Sequence, residues 1–306
     1  MRLVFAGTPQ VAADTLTHLL DHGGHEVVAV LTRPDAPQGR SKRPVPSPVA
    51  ALAQERGIEV LRPARAADPG LAARLAELAP QCCPVVAYGG LIPQTLLESP
   101  EHGWVNVHFS LLPRWRGAAP VQHAILAGDE VTGVTVFELV AALDAGPVLG
   151  TREYRFGAAD TAADALAALQ RLGAPLLVET LDRLAAGTAI AHAQPAEGVT
   201  LAPKLSVAAA RIDWTRDAVA LSRQVRANNP SPVSWTELGA ERFRILLGLP
   251  APDLGLAPGS VEVDRRSVLV GTGAGSLELL SVQPAGKRPL AAADWARGLR
   301  APAVFA

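Results

Sequence analysis

Cysteine is almost missing from this 306-residue chain. Its only two, Cys82 and Cys83, are adjacent within an apolar run, a spacing that suits neither an ordinary disulfide nor a zinc site. A disulfide-built secreted scaffold is thereby excluded, and two buried free thiols in a reducing compartment are expected. An excess of one charge is missing too. With a formal net charge of −1, the molecule as a whole is no polycation made for nucleic acid. Nor is there an apolar run long enough to cross a bilayer. The apolar start is cut short by Gly7-Thr8-Pro9 before it reaches the length of a secretory signal. A cytoplasmic protein with no membrane partner is expected.

What is present is core-forming material. Apolar residues make up 49% and charged residues 19% of the chain, the profile of a globular rather than a disordered protein. The length is comfortable for two domains. Arg2 to Ala6 reads as a strand, Gly7-Thr8-Pro9 as a tight turn, Val11 to Leu20 as a helix and His25 to Thr32 as a second strand. This βαβ opening lacks the repeated glycines of a dinucleotide fingerprint. Residues 33–48 then hold five prolines and the cations Arg40, Lys42 and Arg43, a stretch from which no core can be built. Strand and helix alternate again after it. Ser47 is placed to cap a helix that has Pro48 at its first position and reaches about Arg56. A helix near 71–78, a buried strand from Cys82 and a long alanine- and leucine-rich helix over 161–186 follow.

Residues 187–201 carry no strong pattern and read as a linker. Beyond them the sequence predicts a helix over about 215–227. Five short β-prone runs come next, near 233–238, 243–249, 259–264, 267–271 and 277–283, a count that fits a small oligonucleotide-binding-type barrel. A closing helix is predicted over 294–299. Residues 203–306 hold 13 Lys/Arg and 9 Asp/Glu, against 15 and 20 in residues 1–202. A solvated surface accounts for that surplus, which is also compatible with weak tracking of a phosphate backbone. The expected architecture is α/β: a Rossmann-like, mostly parallel sheet domain over residues 1–188, a linker over 189–203, and a small OB-like β-barrel over 204–306.

The chemistry concentrates in residues 103–120, Gly-Trp-Val-Asn-Val-His-Phe-Ser-Leu-Leu-Pro-Arg-Trp-Arg-Gly-Ala-Ala-Pro. In an extended strand, Val105 and Val107 face one side while Asn106 and His108 face the other. With the valines in a core, the carboxamide and imidazole are either hydrogen-bonded structurally or line a cavity. The strand runs into Leu111-Leu112-Pro113 at a carboxyl end, where α/β proteins place ligand loops, and Tyr88-Gly89-Gly90 ends the preceding strand at the same edge. A carboxylate follows in Leu143-Asp144-Ala145-Gly146. An amide, an imidazole and a carboxylate, with no serine or cysteine nucleophile beside a base and no metal-ligand spacing, suit transfer of an already activated acyl group to an amine.

The ordered string Asn106-Val-His108-x-Ser110-Leu-Leu-Pro113-x-x-Arg116-Gly-Ala-x-Pro120, followed by Asp144, resembles the signature of the 10-formyltetrahydrofolate-dependent formyltransferases. The resemblance covers nearly the whole chain. It implies 10-formyltetrahydrofolate as formyl donor, no metal and no covalent enzyme intermediate. It implies Asn106 and His108 as donors to the developing oxyanion, with Asp144 orienting His108 or a water and helping to remove the amine proton. Ser110, Leu111, Leu112 and Pro113, with Tyr88 and Gly89, are the folate-binding residues implied. Phe109, where many members carry glycine, and Ala145-Gly146-Pro147, where they carry Thr-Gly-Asp, imply altered pocket walls.

Within that family the basic loop at 33–48, Ala210-Arg211-Ile212-Asp213-Trp214 and Pro284-Ala285-Gly286-Lys287-Arg288-Pro289 resemble the methionyl-tRNA formyltransferases. On that resemblance the acceptor is the α-amino group of methionyl-initiator tRNA, the product serves translation initiation, and Arg40, Lys42, Arg43, Lys287 and Arg288 contact the tRNA. A monomer is expected. Two other readings stay open: a sugar-nucleotide (amino-sugar) formyltransferase sharing the catalytic domain, and a catalytically inactive folate- or RNA-binding module.

Overall fold

A computed structural model describes residues 1–37, 43–264, 267–299 and 301–306. The chain divides into two compact units. One comprises Met1–Gly117, Val131–Tyr154 and Leu166–Leu201; the other comprises Ala118–Glu130, Arg155–Ala165 and Ala202–Ala306.

The first unit opens with β1 (Arg2–Gly7), α1 (Gln10–His22) and β2 (Glu26–Leu31). The proline-rich stretch holds a short hairpin that its composition does not announce: β3 (Ala36–Pro37) pairs antiparallel with β4 (Pro44–Val45). Arg40 and Lys42, expected tRNA contacts, lie outside the described residues, and Arg43 is exposed. Next come α2 (Pro48–Glu55), β5 (Glu59–Leu61), α3 (Pro69–Leu78), β6 (Cys83–Val86), α4 (Gln94–Leu97) and β7 (Trp104–His108). Ser47 caps α2 as its sequence predicts, its Oγ accepting the Ala50 N–H at 3.1 Å, a contact that stabilises a helix by about 1 kcal/mol. After α5 (Pro120–Ala127), which belongs to the second unit, β8 (Val131–Glu138), β9 (Val148–Arg155) and α6 (Ala162–Ala185) follow.

Strands of the first unit form one sheet in the order β5-β2-β1-β6-β7-β8-β9. It is parallel from β5 to β7, and β8 runs antiparallel to β7. The order reverses between β1 and β6, the point at which open α/β sheets hold their ligands. One face packs Val4, Ala6, Leu31, Val85 and Trp104 with Leu71 and Leu75 of α3. On the opposite face Val107 and Val134 come up against Gly173 of α6, where an added Cβ would stand 3.1 and 3.0 Å from them. Cys82 and Cys83 are fully buried and unpaired. Burial pushes the Cys82 thiol up to about 12 and Cys83 well above the ordinary thiol range.

In the second unit α7 (Ala218–Ala227) precedes β10 (Ser234–Leu238), β11 (Glu241–Ala251), β12 (Val261–Asp264), β13 (Ser267–Gly271), β14 (Ser276–Gln283), β15 (Leu290–Ala291) and α8 (Ala292–Ala296). α7 starts three residues later than its pattern predicts. Asp213 draws the Thr215 N–H and hydroxyl into a turn, and Asp217 then caps the helix by accepting the Ala220 N–H. The strands pair antiparallel in the order β10-β11-β14-β13-β12, with β15 on β14. The tail links the two outer strands. Phe305 bridges Leu238 of β10, Val304 bridges Ser260 beside β12, and the Phe305 ring stacks on Trp214 at 5.5 Å within the core. The sheet is thereby closed by residues that carry no strand pattern of their own.

Candidate active site

Period-two alternation builds the centre. On β7, Val105 and Val107 are buried in the core, which forces Asn106 and His108 to the opposite face. Trp104, on that same face, is buried and donates its Nε1–H to the Leu96 carbonyl at 2.7 Å. Asn106 pairs with Val85 of β6 and Phe137 of β8, and His108 with Thr135 of β8, so both side chains are carried by a strand locked on two sides. The Asn106 side chain is half-buried and makes no hydrogen bond among the described residues.

His108 is held from both ends. Nε2 lies 2.8 Å from the Trp115 carbonyl, and Nδ1 lies 3.8 Å from Asp144 Oδ2. A carbonyl only accepts, so Nε2 carries the proton and the neutral ring keeps its lone pair at Nδ1. Burial is the main cause that lowers the His108 pKa; Asp144 and the Trp115 carbonyl act the other way. The ring is neutral near pH 7. Any proton it gained at Nδ1 would sit beside a carboxylate.

Asp144 is fixed in turn. Its Oδ2 accepts the Gly117 N–H at 2.7 Å, and its backbone has φ 45°. Trp115 has φ 61°, and Ala87, just after β6, φ 47°. Each such left-handed residue that is not glycine costs on the order of 1 kcal/mol and persists only where surroundings enforce it. Ala87 and Trp115 lie in the loops that leave the carboxyl ends of β6 and β7, while Asp144 reaches the same centre from the loop after the antiparallel β8.

The other expected site residues fare unevenly. Ser110 is fully buried, its Oγ donating to the Arg114 carbonyl at 2.6 Å and its carbonyl accepting the Thr135 hydroxyl at 2.7 Å. Its side chain shapes the turn. Leu111, Leu112 and Pro113 are half-buried. The Tyr88 ring is in the core, while Gly89 is exposed with φ 77° and accepts Arg33 Nη1–H at 2.8 Å through its carbonyl. Lys287 and Arg288 are exposed in the second unit. Sequence reasoning missed Gln194 and Thr200, which hold the site loops; neither periodicity nor composition marks them in a segment read as linker. Among the described residues no group of three or more His, Cys, Asp or Glu side chains could hold a metal ion.

A carboxamide and a neutral imidazole on β7, with a carboxylate brought beside the imidazole by a later loop, make a set suited to group transfer without a nucleophile of its own. Residues 1–181 match the family described as formyl transferase, and residues 204–300 match the formyl transferase C-terminal domain. The chain belongs to the formyl transferase family. The methionyl-tRNA formyltransferase of Streptomyces coelicolor is 54% identical over 98% of this chain and 97% of its own, and that of Thermobifida fusca is 54% identical over the same shares. Among solved structures, HypX from Aquifex aeolicus in complex with tetrahydrofolic acid aligns with a TM-score of 0.66 at 19% identity over 97% of this chain and 47% of its own. This chain thus spans about half of HypX. WlaRD, a sugar 3N-formyl transferase, aligns with a TM-score of 0.67 at 15% identity over 94% of this chain and 99% of its own. Those two likenesses are likenesses of fold.

Proposed function

We propose that this chain transfers the formyl group of 10-formyltetrahydrofolate to the α-amino group of methionyl-initiator tRNA, giving N-formylmethionyl-tRNA for translation initiation. The observation that carries the reading is the Asn106 carboxamide, which makes no hydrogen bond among the described residues and shares a strand face with His108, whose Nε2–H is held by the Trp115 carbonyl. A half-buried donor with no partner among the described residues is the group a reacting carbonyl oxygen would use. The methionyl-tRNA formyltransferases at 54% identity along nearly the whole chain support the choice of acceptor. The half-buried Leu111, Leu112 and Pro113 and the exposed Gly89 backbone suit the pterin end of a folate.

In this mechanism Asn106 donates to the formyl oxygen as charge develops on it. An α-amino group titrates near pH 8, so a useful fraction is already free base, and attack needs no covalent intermediate. His108 keeps its Nε2–H on the Trp115 carbonyl and accepts the amine proton at Nδ1, where Asp144 stabilises the resulting imidazolium; that proton then passes to N10 as the C–N10 bond breaks and tetrahydrofolate leaves. The bond to Trp115 favours this base role over a donor role for His108. Arg40, Lys42, Arg43, Lys287 and Arg288 are assigned to the tRNA backbone.

The test is a transfer assay with one formyl donor and three acceptors: charged initiator tRNA, charged elongator tRNA and an amino-sugar nucleotide. Formyl should appear on the initiator methionyl-tRNA, and turnover confined to the sugar nucleotide would overturn the assignment. Folate binding with no turnover of any acceptor would point instead to an inactive binding module.

A further inference from the structure

Residues 188–201 look like a connector in sequence, yet they reach the centre twice. From 191 to 200 every residue is exposed except Gln194 and Thr200. The Gln194 carboxamide is used at both ends. Its Oε1 accepts Arg116 Nε–H and Nη2–H at 3.1 and 2.6 Å, and its Nε2 donates to the carbonyls of Asp144 and Gly146, both at 2.8 Å. Thr200 Oγ1 accepts the Trp115 N–H at 2.8 Å, and its carbonyl accepts the Arg116 N–H at 2.9 Å.

These contacts fall on the two groups that flank His108. Trp115 supplies the carbonyl on Nε2, and Asp144 supplies the carboxylate facing Nδ1. Both residues hold left-handed backbone, which non-glycine residues keep only when neighbours impose it. At Gly146 a side chain would run into the Glu138 carbonyl, so the loop after Asp144 is pressed against β8 on one side while Gln194 holds its carbonyls.

We propose that Gln194 and Thr200 are positioning residues for the transfer step: Thr200 sets the carbonyl that fixes the His108 tautomer, and Gln194 sets the carboxylate that receives its imidazolium. Neither touches a reacting atom. The inference rests on the reading of His108 and Asp144 as the proton-accepting pair.

Full-length Gln194→Met, Thr200→Val, Thr200→Ser, Asp144→Asn and the double variant Gln194→Met/Asp144→Asn test it by single-turnover and steady-state kinetics, with a thermal melt of each. Misplacing a catalytic group by about 1 Å costs up to about 100-fold. Gln194→Met and Thr200→Val should therefore lose roughly 10- to 100-fold in kcat while KM for both substrates stays within about twofold. Thr200→Ser, which keeps the acceptor oxygen, should restore the rate. In the Asp144→Asn background, adding Gln194→Met should cost less than about threefold more, because groups that act as a unit are not additive. An unchanged kcat, a loss confined to KM, or a full multiplicative loss in the double variant would overturn the inference. If Gln194→Met melts too low to assay, the Thr200→Val and Thr200→Ser pair decides. Full activity in His108→Ala would defeat the underlying reading, whereas an inactive His108→Ala with an unaffected Gln194→Met would defeat this inference alone.

Discussion

Two loops of this chain carry a pair of basic residues, and they are built in opposite ways. In the loop after β7, Arg116 is committed to Gln194, Arg114 lies over the Trp115 ring at 5.0 Å, and Ser110, Trp115 and Gly117 each give a hydrogen bond to a named partner. In the loop at 284–289, Lys287 and Arg288 are exposed, and neither side chain pairs with anything among the described residues. Among the described residues that turn is shaped by the Lys287 N–H on the Pro284 carbonyl, by Gln283 Nε2 on the Lys287 carbonyl, and by Gly286 at φ 69°. The difference fits the two roles proposed for these regions. A chemical centre fails if its groups drift by a fraction of an ångström. Charges that meet a phosphate backbone act over a Debye length of about 8 Å and need no such constraint.

The largest effect should separate the two faces of β7 inside the constrained region. Asn106→Ala removes the donor proposed to meet developing charge and should lower kcat by about 100- to 1000-fold with a near-parental melting temperature. Val107→Ala should do the reverse. It empties two carbons from the packing against Gly173, destabilises by about 2 kcal/mol, and leaves the kcat of the folded protein close to the parent's. Parallel kinetics and melts check both. An Asn106→Ala enzyme that turns over normally would mean the carboxamide is ordinary surface, and the contrast between the loops would lose its chemical half.

A buried titrating group should couple to folding in a way no solvated cation can. Burial lowers the His108 pKa below 6.5 in the folded chain, so below that pH the unfolded chain binds the extra proton first. The contribution of His108 to stability is present above pH 6.5 and is lost as pH falls through the folded value. Between pH 8 and pH 5.5 the parent should therefore lose more melting temperature than His108→Gln. His18 and His25, whose pKa values burial also lowers, are common to both proteins and cancel. Identical slopes would show that the folded ring is not held neutral.

Much of the constrained region was legible because its signals are local. Alternation at Val105-Asn106-Val107-His108 fixed the face of each side chain, and Ser47-Pro48 announced a capped helix. What was not legible is non-local. Gln194 reaches Arg116 across 78 positions and the Asp144 carbonyl across 50, and a segment with no hydrophobic period gives no hint of where its half-buried carboxamide goes. The left-handed backbone at Trp115 was equally hidden, since a tryptophan does not call for it, and at Asp144 the residue type permits it without requiring it. Closure of the second sheet by Val304 and Phe305 was missed for the same reason: the tail borrows its strand character from the two edges it joins.

The smallest effect should come from the unconstrained loop. Replacing both Lys287 and Arg288 by alanine leaves the packing unchanged, because neither side chain is part of it, so melting temperature and kcat should match the parent. If the two cations neutralise phosphates, each phosphate left without its cation keeps a little under one counterion that binding would otherwise release. The slope of log(kcat/KM) for tRNA against log salt should then shrink by about 1 to 2, with kcat/KM a few-fold lower at low salt. Matching slopes would take these two cations off the tRNA surface and leave the loop as solvated chain, while a fall in kcat would show that it is tied to the centre after all.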